Sequence, residues 1–308
     1  VSIVSARSVM NALDKTKYEI VPVLIAKDGS WPGIQTGVDV VFPLVHGTYG
    51  EDGCLQGYLE LANVPYVGCG VLGSAVGMDK VIQKQILRAC GIPIVRFVEL
   101  RTPEWTNDGQ LNYPLFTKPA NAGSSVGVSK IKDQSQLENG IKQAFRYDTK
   151  ILVEEGVQHA REIECAVLGN DDPKTSVLGE IKPSNEFYDY DAKYVDGASA
   201  SIIPADLPSE LVGEMQKMAM KTFRVLNCSG MARVDFLLNS ETGEWVVNEV
   251  NTIPGFTSIS MYPKLWESSG LPYPKLLDRL IELAEERHRQ KASLETSYQP
   301  SKEWHKAS

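Results

Sequence analysis

The sequence predicts a mixed fold, α/β at its start and α+β thereafter, and three observations carry that prediction. Helix-period and strand-like runs alternate up to about residue 68, the mark of parallel α/β units. Beyond that point short strands with polar connectors are interleaved with amphipathic helices, an α+β pattern. The chain has 308 residues and is 43% hydrophobic, enough for two or three domains with full-sized cores.

The N-terminal unit, residues 1–68, contains a helix over Val1–Leu13, strands at Ile20–Ala26 and Val38–Val45, and a helix over Leu55–Leu61. Its opening helix has no strand or turn ahead of it, so the first strand of this unit is expected to be missing. A central unit, residues 69–155, follows with a helix over Lys80–Ala89 that stops at Gly91-Ile-Pro93. Strands Val95–Leu100 and Leu115–Lys118, a glycine-serine turn, a helix over Gln134–Phe145 and a strand at Ile151–Glu154 complete it. The last unit, residues 156–308, holds a strand at Glu162–Leu168, a tyrosine-rich connector over about 182–200 and a helix over Glu210–Leu226. A hairpin, a helix over Pro274–Glu286 and a polar tail from about 287 end the chain. No internal repeat is visible.

The totals exclude several classes of function. A net charge of -8, with no basic cluster interleaved with aromatics, argues against a nucleic-acid partner and for small molecules. Five scattered cysteines without CxxC spacing fit reduced, buried thiols rather than a disulfide framework or a zinc site. No apolar run approaches the roughly eighteen residues of a membrane span, and no signal peptide is apparent. A cytoplasmic protein without a membrane partner is expected.

Chemistry concentrates first in Arg233-Val-Asp235 and Glu249-Val-Asn251, which set charge into otherwise apolar strands. The runs Ala232–Leu238 and Trp245–Val250 flank Asn239-Ser-Glu-Thr-Gly-Glu244 and predict an antiparallel hairpin. Period-two alternation puts Arg233 with Asp235, and Glu249 with Asn251, on one face of each strand. With Glu241-Thr-Gly243 as the loop, Asp235 stands opposite Glu249. Two opposed carboxylates repel, and their desolvation costs several kcal/mol more unless a cation meets them. An all-oxygen set suits Mg²⁺ or Mn²⁺ rather than zinc. Magnesium keeps waters and takes substrate phosphates, so a metal-bound nucleoside triphosphate is the expected occupant. A solvated face neutralised by Arg233 accounts for the same residues, and a one-residue bulge would undo the register.

Phe116-Thr-Lys118-Pro-Ala-Asn-Ala-Gly123-Ser124-Ser125-Val-Gly127 places a lysine at a strand end before a turn dense in glycine and serine. Such a turn can bring main-chain N–H groups up to phosphate, and it is equally a flexible hairpin turn when read alone. Lys80 at a helix start is a second candidate cation or simply a solvated lysine. Glu154-Glu155-Gly156-Val157 ends an apolar strand where main-chain groups could meet an adenine edge, with Glu162 near the ribose. The connector Phe187-Tyr-Asp-Tyr-Asp-Ala-Lys193-Tyr194 suits a lid that excludes water, or a surface loop anchored by aromatics. His46 follows a strand of the α/β unit, where ligands bind, although a loop histidine also serves to cap backbone. No Ser-His-Asp or Cys-His pairing supports a covalent nucleophile.

Taken in order, these blocks resemble the D-alanine–D-alanine ligases of the ATP-grasp superfamily. The resemblance rests on His46-Gly with Gly50-Glu-Asp-Gly53, on Met78-Asp-Lys80, on Lys118-Pro with Gly123-Ser-Ser-Val-Gly127, and on Phe187-Tyr-Asp-Tyr with Ala192-Lys-Tyr194. It continues through Arg233-Val-Asp235 and Asn248-Glu-Val-Asn-Thr-Ile-Pro-Gly-Phe-Thr-Ser258, spanning Val1 to about Leu283. It implies a three-domain ATP-grasp architecture: an N-terminal parallel-sheet domain and two α+β domains clasping ATP. The implied reaction is ATP-dependent joining of two D-alanine molecules through an acyl phosphate for peptidoglycan precursors, in a homodimer. By motif position Asp235, Glu249 and Asn251 would hold two Mg²⁺ or Mn²⁺ ions. Lys80, Lys118, Ser124 and Ser125 would meet the phosphates, while Glu154, Glu155, Val157 and Glu162 would bind adenosine. Lys193 would reach the γ-phosphate, and Arg233 with the Gly255 backbone would stabilise the oxyanion. Ser124 and Tyr194 would orient the first D-alanine, and His46, Ser260 and Met261 would line the second D-alanine site.

Departures from the family pattern carry expectations of their own. The family places a glutamate just ahead of the Val-Ser that matches Val1-Ser2, where it binds the first substrate's ammonium, and the chain as given starts one residue later. Trp31 to Val38 also looks shorter than usual. The literal polypeptide is therefore expected to be impaired. Ligases that make D-alanyl-D-lactate share most of these motifs, but their resistance-associated members lack the Ala-Lys-Tyr at 192–194, which favours an amine acceptor here. An ATP-binding module with a decayed substrate site, or another ATP-grasp ligase with a different acid, are the remaining alternatives.

Overall fold

The computed structural model describes residues 1–34, 37–182, 200–295 and 297. The tyrosine-rich connector, with Lys193 and Tyr194, lies outside the described residues. What is described builds two antiparallel sheets, one of four strands and one of five, with a mostly helical N-terminal third packed beside the larger.

In the N-terminal third, α1 (Ser2–Ala12) and α2 (Cys54–Leu61) form as expected. The parallel pairing expected there is present, among the described residues, at a single bridge between Val41 and Tyr66. Ile20–Ala26 forms no ladder: among the described residues no strand lies alongside to take its N–H and C=O groups, and Val21, Val23 and Leu24 stay exposed. Two helices follow: α3 (Val71–Met78), which periodicity does not reveal, and α4 (Lys80–Ala89). Gly73 and Gly77 lower the helix propensity of α3 but let it approach its neighbours closely. A Cβ at Gly73 would stand 2.5 Å from the Asn227 carbonyl oxygen, and one at Gly77 2.5 Å from the Thr252 methyl.

The four-stranded sheet has the order β1 (Phe97–Leu100), β4 (Ile151–Glu155), β2 (Leu115–Pro119), β3 (Ser129–Ile131), all antiparallel. Helix α5 (Gln134–Ala144) covers one face, burying Leu137 and Ile141 against Leu115, Ile131 and Val153. On the other face Val81 of α4 packs on Ala120 and Leu152.

The five-stranded sheet runs β7 (Ala200–Ile202), β6 (Lys174–Lys182), β5 (Ala160–Gly169), β8 (Gly230–Asn239), β9 (Trp245–Asn251). One face is closed by α6 (Ser209–Val225), whose Met215, Ala219 and Phe223 bury Ile163, Cys165, Val234 and Phe236. Half of the other face is closed by α7 (Met261–Ser268) and α8 (Tyr273–Ala292), through Tyr262, Leu265, Leu276 and Leu280. Alternation does the rest. Ala166 and Met231 lie under those helices, while Glu162, Glu164, Arg233 and Asp235, on the same face further along, are left for the cleft.

Two expectations are corrected. The last helix does not end near Glu286 but continues to Ala292, because Arg287 is an anchor rather than the start of a polar tail. Its guanidinium bonds to the carbonyls of Gly68 and Tyr66 and to Ser229 Oγ, and it lies 4.4 Å from the centre of the Tyr66 ring. The cysteines are not uniformly buried either: Cys54 and Cys90 are exposed, since both stand at helix ends that face solvent.

Candidate active site

The site begins with a helix cap. Asp79 Oδ1 accepts the Val81 and Ile82 N–H groups, each at 3.1 Å, and its other oxygen pairs with Lys150, the residue just ahead of β4. This fixes the first turn of α4, so that Lys80 enters the cleft. Its Nζ donates to the Ala122 carbonyl at 2.8 Å and stands 3.9 Å from Glu249 Oε2.

Lys118 and Glu154 project from adjacent strands β2 and β4 and meet at 2.6 Å. The second Glu154 oxygen lies 3.0 Å from Lys84 Nζ, so one buried carboxylate bridges two lysines. Burial pushes the Glu154 carboxyl up, but Lys118 and Lys84 together hold it below the ordinary carboxylate range. Burial pulls Lys118 down, and the Glu154 and Glu249 carboxylates more than reverse it. In Lys84 burial prevails over Glu154, and its ammonium is shifted down.

The glycine-serine turn lies over this pair. Ser124 and Ser125 both hold positive φ, 55° and 59°, a left-handed conformation that L-residues adopt at a cost. At Gly127, with φ 73°, a side chain would stand 2.6 Å from the Tyr147 ring and 2.8 Å from Pro119, so only glycine lets the turn close. Asn121 ties the turn's start to Asp148 through its N–H at 2.7 Å and its amide at 3.0 Å. Gly123 approaches Glu51 of the N-terminal third, which lines the same cleft.

Glu155 has a structural side chain. Its carboxylate accepts the Asn112 N–H at 2.8 Å and the Asn112 amide at 3.0 Å, and its own N–H donates to the Arg96 carbonyl. Its side chain and its N–H are thus both engaged within the protein. Gly156 donates its N–H to Pro114 and packs against Phe116, leaving Val157 just beyond the strand.

Across the cleft three carboxylates stand in one row. Glu164 of β5 is opposite Asp235 of β8, which is opposite Glu249 of β9. Arg233 is laid against this row: it donates twice to Asp235, at 2.7 Å each, and stands 3.1 Å from Glu164. The Asn251 amide donates to Asp235 at 2.9 Å. Burial works against the Arg233 charge, but Asp235 and Glu164 hold its guanidinium well above the ordinary arginine value.

The expected Asp235–Glu249 opposition is found, by a different path. The hairpin closes between Asn239 and Glu244, one residue wider than expected, and a bulge between Asp235 and Phe236 makes up the difference at Asn248. A regular strand would put Val247 and Glu249 on one face. The bulge instead buries Val247 with Phe236 and turns Glu249 to the cleft.

One cleft thus brings together Lys80, Lys118, Ser124, Ser125, Glu154, Glu155 and Glu162 with Arg233, Asp235, Glu249 and Asn251. The residues expected around the second D-alanine do not themselves line this cleft. His46 pairs with Glu51 at 3.7 Å. Ser260 Oγ accepts the Thr257 N–H at 2.9 Å and packs against Gly255. Met261 does not line the cleft: as the first residue of α7 it is drawn into the core, 4% exposed, against Gly179. Glu51, Gln83, Glu164 and Thr252 line the cleft without having been singled out. Glu51 and Thr252 fall within stretches that carry the resemblance, and Glu164 follows Glu162 at strand period.

Comparison with known proteins agrees with this geometry. The family described as D-ala D-ala ligase N-terminus matches residues 32–69, and D-ala D-ala ligase C-terminus matches residues 86–282. The D-alanine–D-alanine ligase of Solibacter usitatus is 50% identical over 302 residues, 94% of this chain and 93% of that protein. The structure of the D-alanine–D-alanine ligase from Coxiella burnetii superposes with a TM-score of 0.85 at 40% identity, covering 94% of this chain and 91% of that one. That of the Bacillus anthracis D-alanine–D-alanine ligase complexed with ATP does so with a TM-score of 0.80 at 34% identity, covering 94% of each.

Proposed function

The chain belongs to the D-alanine–D-alanine ligase family, and on that premise we propose how its cleft performs the ATP-dependent joining of two D-alanine molecules for peptidoglycan precursors. The observation that carries the reading is one cleft with two walls of different chemistry. The four-stranded sheet offers lysines and a strained turn for a polyphosphate, and the five-stranded sheet offers a row of carboxylates with one arginine.

ATP lies between them in this reading. Glu154, the Glu155 carbonyl, the Val157 N–H and Glu162 hold adenosine. Lys80, Lys118 and the turn at Ser124 and Ser125 hold the phosphates, and Lys193 approaches the γ-phosphate. The donor set fits a hard divalent ion. Asp235 and Glu249 are directly opposed and already need positive charge, supplied by Arg233 and Lys80, and Asn251 adds an amide oxygen. Asp235, Glu249 and Asn251 would therefore hold Mg²⁺ or Mn²⁺, as a pair of ions, which would neutralise phosphate charge.

The chain's own groups do the remainder. Ser124 and Tyr194 orient the first D-alanine so that its carboxylate oxygen attacks the γ-phosphorus as the bond to ADP breaks, with lysines spreading the developing charge. The acyl phosphate so formed has phosphate as its leaving group. The second D-alanine, held near His46 and Ser260, attacks the carbonyl carbon through its amine and loses a proton. Arg233 and the Gly255 N–H stabilise the tetrahedral oxyanion until phosphate departs. No nucleophilic side chain is required.

The test is ADP release across a panel of D-amino and D-hydroxy acids, with products identified by mass. Release that requires D-alanine and yields D-alanyl-D-alanine is expected, in keeping with Ala192-Lys-Tyr194 and an amine acceptor. ADP release indifferent to D-alanine, or a preference for D-lactate as acceptor, would overturn it.

A further inference from the structure

We propose that Lys84 is a positioning residue for ATP, binding the Glu154 carboxylate and the Asn248 carbonyl at once and so holding the base end of the nucleotide site in register with its metal end. The inference rests on reading the cleft as an ATP site.

Lys84 stands one turn after Lys80 on α4, yet it points beneath the cleft and is not among the residues that line it. Its side chain is 2% exposed. Its Nζ lies 3.0 Å from Glu154 Oε2, in the four-stranded sheet, and donates to the Asn248 carbonyl at 3.2 Å, in the five-stranded sheet. Those acceptors belong to opposite walls. Asn248 is the bulge residue immediately before Glu249, so Lys84 takes the carbonyl of a residue that the register leaves without a cross-strand partner. Its neighbour Gln83 strengthens the same junction, donating to the Gly77 carbonyl at 2.7 Å and accepting the Val250 N–H at 3.2 Å.

An ammonium this deeply buried costs free energy that an apolar side chain of the same length would not, so its contribution to stability is a weak reason for its presence. What a methionine could not do is divide Glu154 between two cations. With one oxygen held by Lys84, only the other faces Lys118, and the Lys118 ammonium is left partly unsatisfied for a phosphate. Without Lys84, Glu154 turns both oxygens to Lys118 and draws it from the nucleotide, and the strand carrying Glu249 loses its tie to the base site.

The test compares Lys84→Met, Glu154→Gln and the double variant with the wild-type chain in steady-state kinetics and thermal melting. Lys84→Met is expected to raise KM for ATP roughly ten- to a hundredfold, the range for removing a group that orients a ligating side chain. KM for D-alanine should stay within about twofold, marking a loss confined to the nucleotide. The double variant should be no worse than the worse single variant, because both act through one carboxylate. An unchanged KM for ATP overturns the proposal. So does a rise in both KM values that tracks a lower melting temperature, which marks a structural role. Should Lys84→Met fail to fold because Glu154 is left undercompensated, the double variant carries the same comparison, and failure of both to fold also counts against it. A wild-type chain that releases no ADP with D-alanine overturns the ATP reading itself.

Discussion

Arg233 holds Asp235 by two parallel hydrogen bonds of 2.7 Å, so both oxygens of the central carboxylate are engaged by a cation of the protein itself. In the proposed reading a divalent ion at Asp235 would share these oxygens with Arg233 and weaken that grip. Glu164, 3.1 Å away on the neighbouring strand, is placed to retain the guanidinium when this happens. On the proposed roles, metal loading would then be coupled to the presentation of Arg233 to a developing oxyanion.

Asp235→Asn tests this coupling. We expect it to lower turnover by at least about a hundredfold and to raise the Mg²⁺ concentration giving half-maximal rate, because a neutral amide is a poorer ligand and a weaker partner for Arg233. ADP release titrated with Mg²⁺ measures both effects. A variant with an unchanged magnesium requirement would show that Asp235 does not hold the ion.

Glu154 makes the fold sensitive to acid. Its folded-state carboxyl sits below the ordinary value, so the folded chain takes up this proton less readily than the unfolded chain. The stabilisation is full above the unfolded pKa of about 4.3 and is lost as pH falls through the lower folded value. Denaturant unfolding between about pH 3 and 7 should show that loss, and Glu154→Gln should flatten the profile while costing about 3 kcal/mol at neutral pH. A variant whose stability still falls with acid as the wild type does would contradict the assignment.

The left-handed pair Ser124 and Ser125 predicts opposite effects on stability and activity. Ser125→Gly relieves one strained residue, so the folded state should gain up to about 1 kcal/mol. The same change removes a hydroxyl from the turn over the phosphates and loosens its main chain, and KM for ATP should rise several-fold, roughly as for loss of one hydrogen bond to a charged group. Melting curves beside kinetics decide the matter. A destabilised variant with an unaltered KM would mean that the conformation serves packing alone.

How far the residues alone disclose this site depends on how local each signal is. The start of α4 at Lys80 is read correctly because the Asp79 cap that fixes it needs only its own helix. Asp235 and Glu249 can be paired because alternation and turn length act within one hairpin, although the turn is one residue longer than its glycine suggests and the bulge at Asn248 restores the register. Lys84 is illegible in the same way that Lys80 is legible. Both are lysines on the exposed-looking start of one helix, and only a carboxylate far along the chain decides that one of them is buried. Helix α3 is hidden by the glycines that its packing requires, and the pairing of Ile20–Ala26 by the lack of a neighbouring strand. Met261 carries no mark that separates a core methionine from one beside a ligand.

Arg287 bears on how the molecule can open. Val9, Leu44 and Val67 of the N-terminal third share one apolar core with Tyr262, Leu276 and Leu280, and Arg287 pins that contact at Gly68, Tyr66 and Ser229. The four-stranded sheet has a core of its own. The N-terminal third and the five-stranded sheet therefore share one apolar core, whereas the sheet bearing Lys118 packs on a separate one, and any opening of the cleft is expected to part these two cores at the Lys84 contact.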